Sequence, residues 1–193
     1  MSDWSSLASG SRVWSKTVLP ACGILLALTA TSLAQWPQFG GPNRDFTVDS
    51  ASLSASWPEG GPRELWSKEF GDGFSSILVE GGHLYTMRRQ GDSDVVVCLN
   101  AGSGDIVWET SYPSPTAEGM ILDFGPGPIS TPLISGSRLF TVSSTVKLHA
   151  LDKASGSTWT IASGMDTPNM IVSGGAFVYV TDTEYGNIYR VAK

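Results

Sequence analysis

The chain has 193 residues, with 12 Lys and Arg against 18 Asp and Glu and a formal net charge of −6. An acidic surface without a Lys/Arg run excludes nucleic acid as a partner, because its phosphates would be repelled. Two cysteines and two histidines leave little material for a disulfide framework or a metal cluster.

Residues 1–34 read as a targeting segment. Arg12 and Lys16 supply a basic start, 18–34 is mostly apolar and uncharged, and Ser32-Leu33-Ala34 is a small-x-small triplet. This pattern predicts a signal peptide cleaved before Gln35 and export to the periplasm or cell envelope. The alternative is an uncleaved anchor, which would be the chain's sole contact with membrane. Cys22 is not a lipid acceptor, because the apolar run Ile24–Leu28 follows it instead of preceding it. Cleavage leaves Cys98 as the single cysteine, so no intrachain disulfide is expected. It also removes Asp3, Arg12 and Lys16, a net +1, which leaves about −7.

Residues 35–62 are rich in Gly, Pro, Ser and Asp, with Trp36, Phe39 and Trp57 as aromatic anchors. They are expected to form an irregular segment packed across the rim of the fold. From Arg63 onward the chain repeats itself. Ser75-Ser76-Ile77-Leu78-Val79-Glu80-Gly81-Gly82-His83-Leu84-Tyr85-Thr86 leads to Cys98-Leu99-Asn100-Ala101-Gly102-Ser103-Gly104-Asp105-Ile106-Val107-Trp108. The same phrase returns as Thr131–Thr141 followed by Ala150–Trp159, and starts again at Met170–Val180. A period of about fifty residues, built of short strands and turns, is the signature of a β-propeller of four-stranded antiparallel blades.

The turns predict strands near 76–79, 83–87, 95–100 and 106–110 in the first unit. The second unit should use 132–134, 138–142, 146–151 and 158–161, and the third 169–172, 177–181 and 188–191. A lone strand at Trp66 brings the total to twelve. The blades therefore fall at about 63–110, 111–162 and 163–193, the last incomplete. Three blades are fewer than the four to eight that close a ring. The chain is thus either part of a longer protein or an open arc with exposed strand edges. The second copy is one residue shorter between Gly156 and Trp159, which raises the prospect of a register slip that would swap the faces of its outer strand.

The apolar pair and turn, the Leu-Tyr-Thr or Val-Tyr-Val strand, and the Leu99-Asn100…Gly104…Trp108 and Leu151-Asp152…Gly156…Trp159 phrases resemble the pyrroloquinoline-quinone (PQQ)-type propeller repeat. That repeat is shared by quinoprotein dehydrogenases and the outer-membrane assembly factor BamB. The opening Trp36-Pro37-Gln38-Phe39-Gly40-Gly41-Pro42-Asn43-Arg44-Asp45 resembles exported BamB-like proteins of planctomycete bacteria. WD and kelch repeats fit less well. The first would end its third strand in Trp-Asp, and the second places Gly-Gly after its second strand, whereas Gly81-Gly82 and Gly174-Gly175 precede it.

The resemblance implies one of two roles. A quinoprotein oxidoreductase, of which this would be a fragment, would hold PQQ between a Trp and a disulfide, with calcium on carboxylates and an Asp as base. This chain lacks a cysteine pair after processing and has no calcium-loop spacing. No nucleophile elbow accompanies His83 or His149, and both histidines read as surface or blade-edge positions. No catalytic residue, metal or cofactor is therefore expected. Trp66, Trp108 and Trp159 read as outer-strand packing residues, and Cys98 as a small buried apolar one. The leading reading is a non-catalytic, BamB-like scaffold that offers blade edges and rim loops to an envelope protein or to a second copy of itself. Loops 71–76 and 123–131 should open on one rim, where Asp72, Phe74, Asp123 and Phe124 are candidate contacts. A carbohydrate- or small-ligand-binding propeller using Phe74 and Phe124 is a further alternative.

Overall fold

The turn glycines and alternating apolar residues produce, among the described residues, eleven strands in three antiparallel sheets. The computed structural model describes residues 35–48, 56–116, 125–166, 168–182 and 186–193. Residues 1–34, with the expected signal peptide, lie outside them, as do Asp123 and Phe124. Blade 1 contains β1 (Leu78–Glu80), β2 (His83–Gln90), β3 (Ser93–Asn100) and β4 (Ile106–Pro113). Blade 2 contains β5 (Leu133–Ser135), β6 (Arg138–Val142), β7 (Leu148–Asp152) and β8 (Thr158–Ala162). Blade 3 contains β9 (Pro168–Gly174), β10 (Phe177–Asp182) and β11 (Asn187–Ala192). Each sheet runs in sequence order from its inner strand outward.

The expected strand at Trp66 does not form. Residues 63–70 take no regular secondary structure and pair with no strand among the described residues. A strand needs a neighbour to satisfy its N–H and C=O groups, and the segment has none.

The register slip does not occur either. Trp108 pairs with Cys98 and Trp159 with Ala150, which are equivalent positions counted back from Asn100 and Asp152. The extra residue of the first copy is absorbed by a bulge between Cys98 and Leu99, where Leu99 faces Ile106. A bulge accepts one additional residue without turning over the rest of the strand. Blade 2 places its own bulge between Leu148 and His149.

Each blade buries one sheet face against the next. Leu78, Tyr85, Met87, Val96, Cys98 and Tyr112 of blade 1 meet Ile134, Leu139 and Leu151 of blade 2. Leu133, Phe140, Val142, Leu148 and Ala150 of blade 2 meet Ile171, Val178 and Val180 of blade 3. Each large aliphatic side chain removed from water here contributes roughly 1.5–3 kcal/mol.

Tryptophan ties the seams at the outer edge. The Trp108 indole N–H donates to the Lys153 carbonyl at 3.0 Å, and Thr110 Oγ1 donates to the Gly156 carbonyl at 2.7 Å. The indole lies flat on Gly156, whose φ is +74° and where a Cβ would come within 2.7 Å of the ring. Trp66 repeats the arrangement on blade 1. It donates to the Ala101 carbonyl at 3.1 Å, Lys68 Nζ donates to the Gly104 carbonyl at 3.2 Å, and the indole covers Gly104. Gly156→Ala combines a left-handed backbone with a displaced indole, so about 2 kcal/mol of stability should be lost. A lower urea midpoint with red-shifted tryptophan emission would register it; an unchanged emission maximum would contradict the packing.

Residues 36–44 of the N-terminal segment do not lie on the rim. They cross the inner strands at one equivalent position in each blade. Trp36 exchanges two backbone hydrogen bonds with Val79 (2.7 and 3.0 Å), and the Pro37 carbonyl accepts from the Ile134 N–H at 2.9 Å. Arg44 then donates to the Ser173 carbonyl at 3.1 Å. Val79, Ile134 and Ser173 pair with Leu84, Leu139 and Val178 respectively, the same ladder position in β2, β6 and β10.

Candidate functional site

The loops that precede β1 and β5 meet on one end of the blades. Phe74 N–H donates to the Pro128 carbonyl at 3.0 Å, and the Asp72 carbonyl accepts from Arg89 N–H at 2.7 Å. Gly73 and Gly127 touch backbone to backbone, since a Cβ on Gly127 would fall 2.5 Å from Gly73 Cα. Asp72 is exposed and Phe74 is 47% exposed above this base. The structure therefore places two of the four candidate contacts on one rim; the other two, Asp123 and Phe124, are outside the described residues.

Beneath the rim is a buried polar cluster. Asp94, fully buried at the head of β3, accepts from the Ser144 backbone N–H at 2.6 Å and from Ser144 Oγ at 3.1 Å. Arg89 Nη1 lies 3.5 Å from Asp94 Oδ1, while Nη2 donates to the Ser114 carbonyl at 2.9 Å and to Thr116 at 3.0 Å. The cluster thus joins blade 1 to the β6–β7 turn of blade 2.

Beside it, Tyr112 and His149 stack with ring centroids 3.8 Å apart. The Tyr112 hydroxyl bonds Thr141 Oγ1 at 2.9 Å, and burial holds its pKa above the ordinary tyrosine value. His149 shares a 3.3 Å hydrogen bond with Thr160 through Nδ1, but its buried Nε2 has no hydrogen-bond partner. Burial first, then the charge of Lys147, push its pKa down to about 4. His149 is consequently a neutral seam residue, 5% exposed and paired on both sides, and not the surface or blade-edge position read from its sequence. Pattern reading overlooked this cluster, although Asp94 opening the apolar run Val95–Leu99 was the available signal.

At the opposite end of the same seam is a cleft of about 320 Å³ lined by His83, Tyr85, Cys98, Trp108 and the Glu80–Lys153 ion pair. Burial raises the Cys98 thiol pKa, so it is held as the poorly nucleophilic thiol.

One face of the Trp66 indole is covered by Gly104 and one face of the Trp108 indole by Gly156. Among the described residues no three His, Cys, Asp or Glu come together as metal ligands.

Four-stranded blades with an Asx-x-x-x-Gly turn under a tryptophan define a PQQ-type repeat propeller. A family model described as outer membrane protein assembly factor BamB matches residues 5–186, and the chain belongs to that family. The crystal structure of BamB from Moraxella catarrhalis is similar, at 17% identity and a TM-score of 0.43. That alignment covers 66% of this chain and 39% of the Moraxella chain, so this chain spans well under half the length of that protein. No curated protein matches the chain.

Proposed function

We propose that the chain is an exported, non-catalytic scaffold of the cell envelope, which binds another envelope protein through its rim loops. Family membership supports the envelope setting, and the basic-apolar segment 1–34 supports export. The observation that carries the reading is the rim itself. Phe74 stands half exposed on two loops locked together at Gly73 and Gly127, with the buried Arg89–Asp94 pair beneath them. An aromatic side chain on a rigid base loses little entropy on docking and suits a protein contact.

A photo-crosslinking residue at position 72, used in the native cells, should give a discrete adduct with an envelope protein. A probe at Ser155, on the other end of blade 2, should give none. Phe74→Ala should lower the position-72 adduct at least tenfold. Equal adducts from both probes, or no adduct at position 72, would refute the proposal.

A further inference from the structure

Blades 1 and 2 differ at one repeated place, which in blade 2 is filled by a cation. There the guanidinium carbon of Arg138 lies 5.3 Å from the ring centroid of Trp159. The equivalent residues of blade 1 are His83 and Trp108. His83 pairs with Glu80 as Arg138 pairs with Ser135, and Trp108 pairs with Cys98 as Trp159 pairs with Ala150. Histidine is the shorter side chain, and His83 and Trp108 line the cleft of about 320 Å³. Its walls come from the two four-stranded blades, with His83, Tyr85 and Trp108 on one side and the β7–β8 turn at Lys153 and Ala154 on the other.

The lining suits a cation. Gly156 covers one face of the Trp108 indole, and the ring also borders the cleft. Tyr85 stands beside it, with ring centroids 6.1 Å apart. Aromatic faces are negative, so they attract a cation and repel an anion. Glu80 adds a formal charge of the same sign. Its Oε2 takes the Lys153 ammonium, while Oε1 accepts from no group among the described residues. Lys153 is the one cation in the described lining, and it is already tied to Glu80 and to the Gly136 carbonyl at 2.9 Å. A neutral His83 ring that donates through Nδ1 to the Gly81 carbonyl at 3.1 Å presents Nε2 as a second acceptor.

We propose that this cleft binds an alkylguanidinium, stacked on Trp108 with its N–H groups on Glu80 Oε1 and His83 Nε2. The group is carried by a free small cation or by an arginine side chain of another protein. A guanidinium suits the place better than an ammonium because it is flat, weakly hydrated and presents its donors in one plane. It supplies from outside what Arg138 supplies from within blade 2.

The test titrates the full chain with propylguanidinium and follows the Trp108 indole N–H signal by NMR. A saturable shift with a Kd on the order of 1 mM is expected, and the uncharged isostere propylurea should bind about tenfold more weakly. His83→Arg places a guanidinium over Trp108 as blade 2 does over Trp159, and should abolish the shift with circular dichroism unchanged. Glu80→Gln should weaken binding about tenfold. Lys153→Met keeps the backbone carbonyl to which Trp108 donates and frees Glu80, so it should tighten binding about threefold, a direction that a merely structural role would not give. N-acetylarginine methylamide separates the two sources. Tighter binding than propylguanidinium assigns the group to a protein side chain, and weaker binding assigns it to a free cation. Absence of a saturable shift up to about 20 mM overturns the inference. So does equal binding of propylurea, a His83→Arg protein that binds as the unmodified one does, or a Lys153→Met protein that binds more weakly.

Discussion

Replacing Asp94 by Ala should cost about 3–5 kcal/mol, because it leaves the buried Arg89 guanidinium with only the exposed Asp92 carboxylate, 3.9 Å away, as a counter-ion. Asp94 is 0% exposed and the Arg89 side chain 5% exposed, so water cannot replace the carboxylate. The substitution also strips the Ser144 backbone N–H of its acceptor and so loosens blade 2 from blade 1. A charge left alone in a poorly polarisable interior is more costly than the pair was stabilising. The double substitution Arg89→Met and Asp94→Leu should accordingly recover most of the loss. Urea unfolding of the three variants measures both effects. If Asp94→Ala falls within about 1 kcal/mol of the unmodified protein, the pair is not desolvated as the geometry requires.

The second large effect is an acid-side loss of stability centred on His149. The unfolded chain takes up a proton on this residue near pH 6.5, while the folded chain holds it off until about pH 4. Between those values the unfolded state binds more protons, so stability is complete above 6.5 and declines as the pH falls, reaching its floor below about 4. The full shift corresponds to about 3 kcal/mol. The groups around the ring reinforce the direction: Lys147 is cationic, Tyr112 is a stacked neutral phenol and Thr160 a neutral hydroxyl. Asp152 titrates in a different window, since its hydrogen bonds to Ser155 and Ala154 hold its pKa below 3.8. Its contribution is present above 3.8 and is lost only below the His149 range. His149→Phe keeps a ring on Tyr112 and should flatten the unfolding free energy between pH 6.5 and 4; an unaltered slope would assign that slope to other groups.

Strand placement was legible because each β-hairpin carries its own local signal. Gly81-Gly82 and Ser135-Gly136-Ser137 mark turns, and the residues on either side alternate between two buried faces. The expected strand 138–142 coincides with β6, and the others differ by a few residues at their ends. What was not legible depends on partners distant in the chain. Trp66 looks like a strand residue because it copies Trp108, but strand pairing requires a neighbour that sequence pattern cannot supply. His149 looked like a surface or blade-edge residue because a polar residue in a short strand ordinarily faces water; Tyr112, 37 positions earlier, is what covers it. The bulge at Cys98–Leu99 was likewise invisible, as a one-residue difference in spacing does not say whether a strand turns over or swallows the surplus. At the candidate site, Asp72 and Phe74 could be proposed from their loop, but the Arg89–Asp94 cluster that supports the loop assembles residues from three separate stretches of chain.

The crossing of all three inner strands by residues 36–44 bears on how such a chain can change over generations. Repeat arrays grow and shrink by duplicating or deleting one unit, and they tolerate it because each unit speaks only to its neighbours. Here consecutive residues, Trp36 and Pro37, serve the first two blades, and the reach of Arg44 serves the third. The segment acts as a ruler cut to three marks. A duplicated blade would push Ser173 beyond its last mark, and a deleted one would leave Arg44 with nothing to grip. The spacing of these three blades is therefore written twice in this chain, once in the repeats and once in the short stretch before them, and the two records must be edited together.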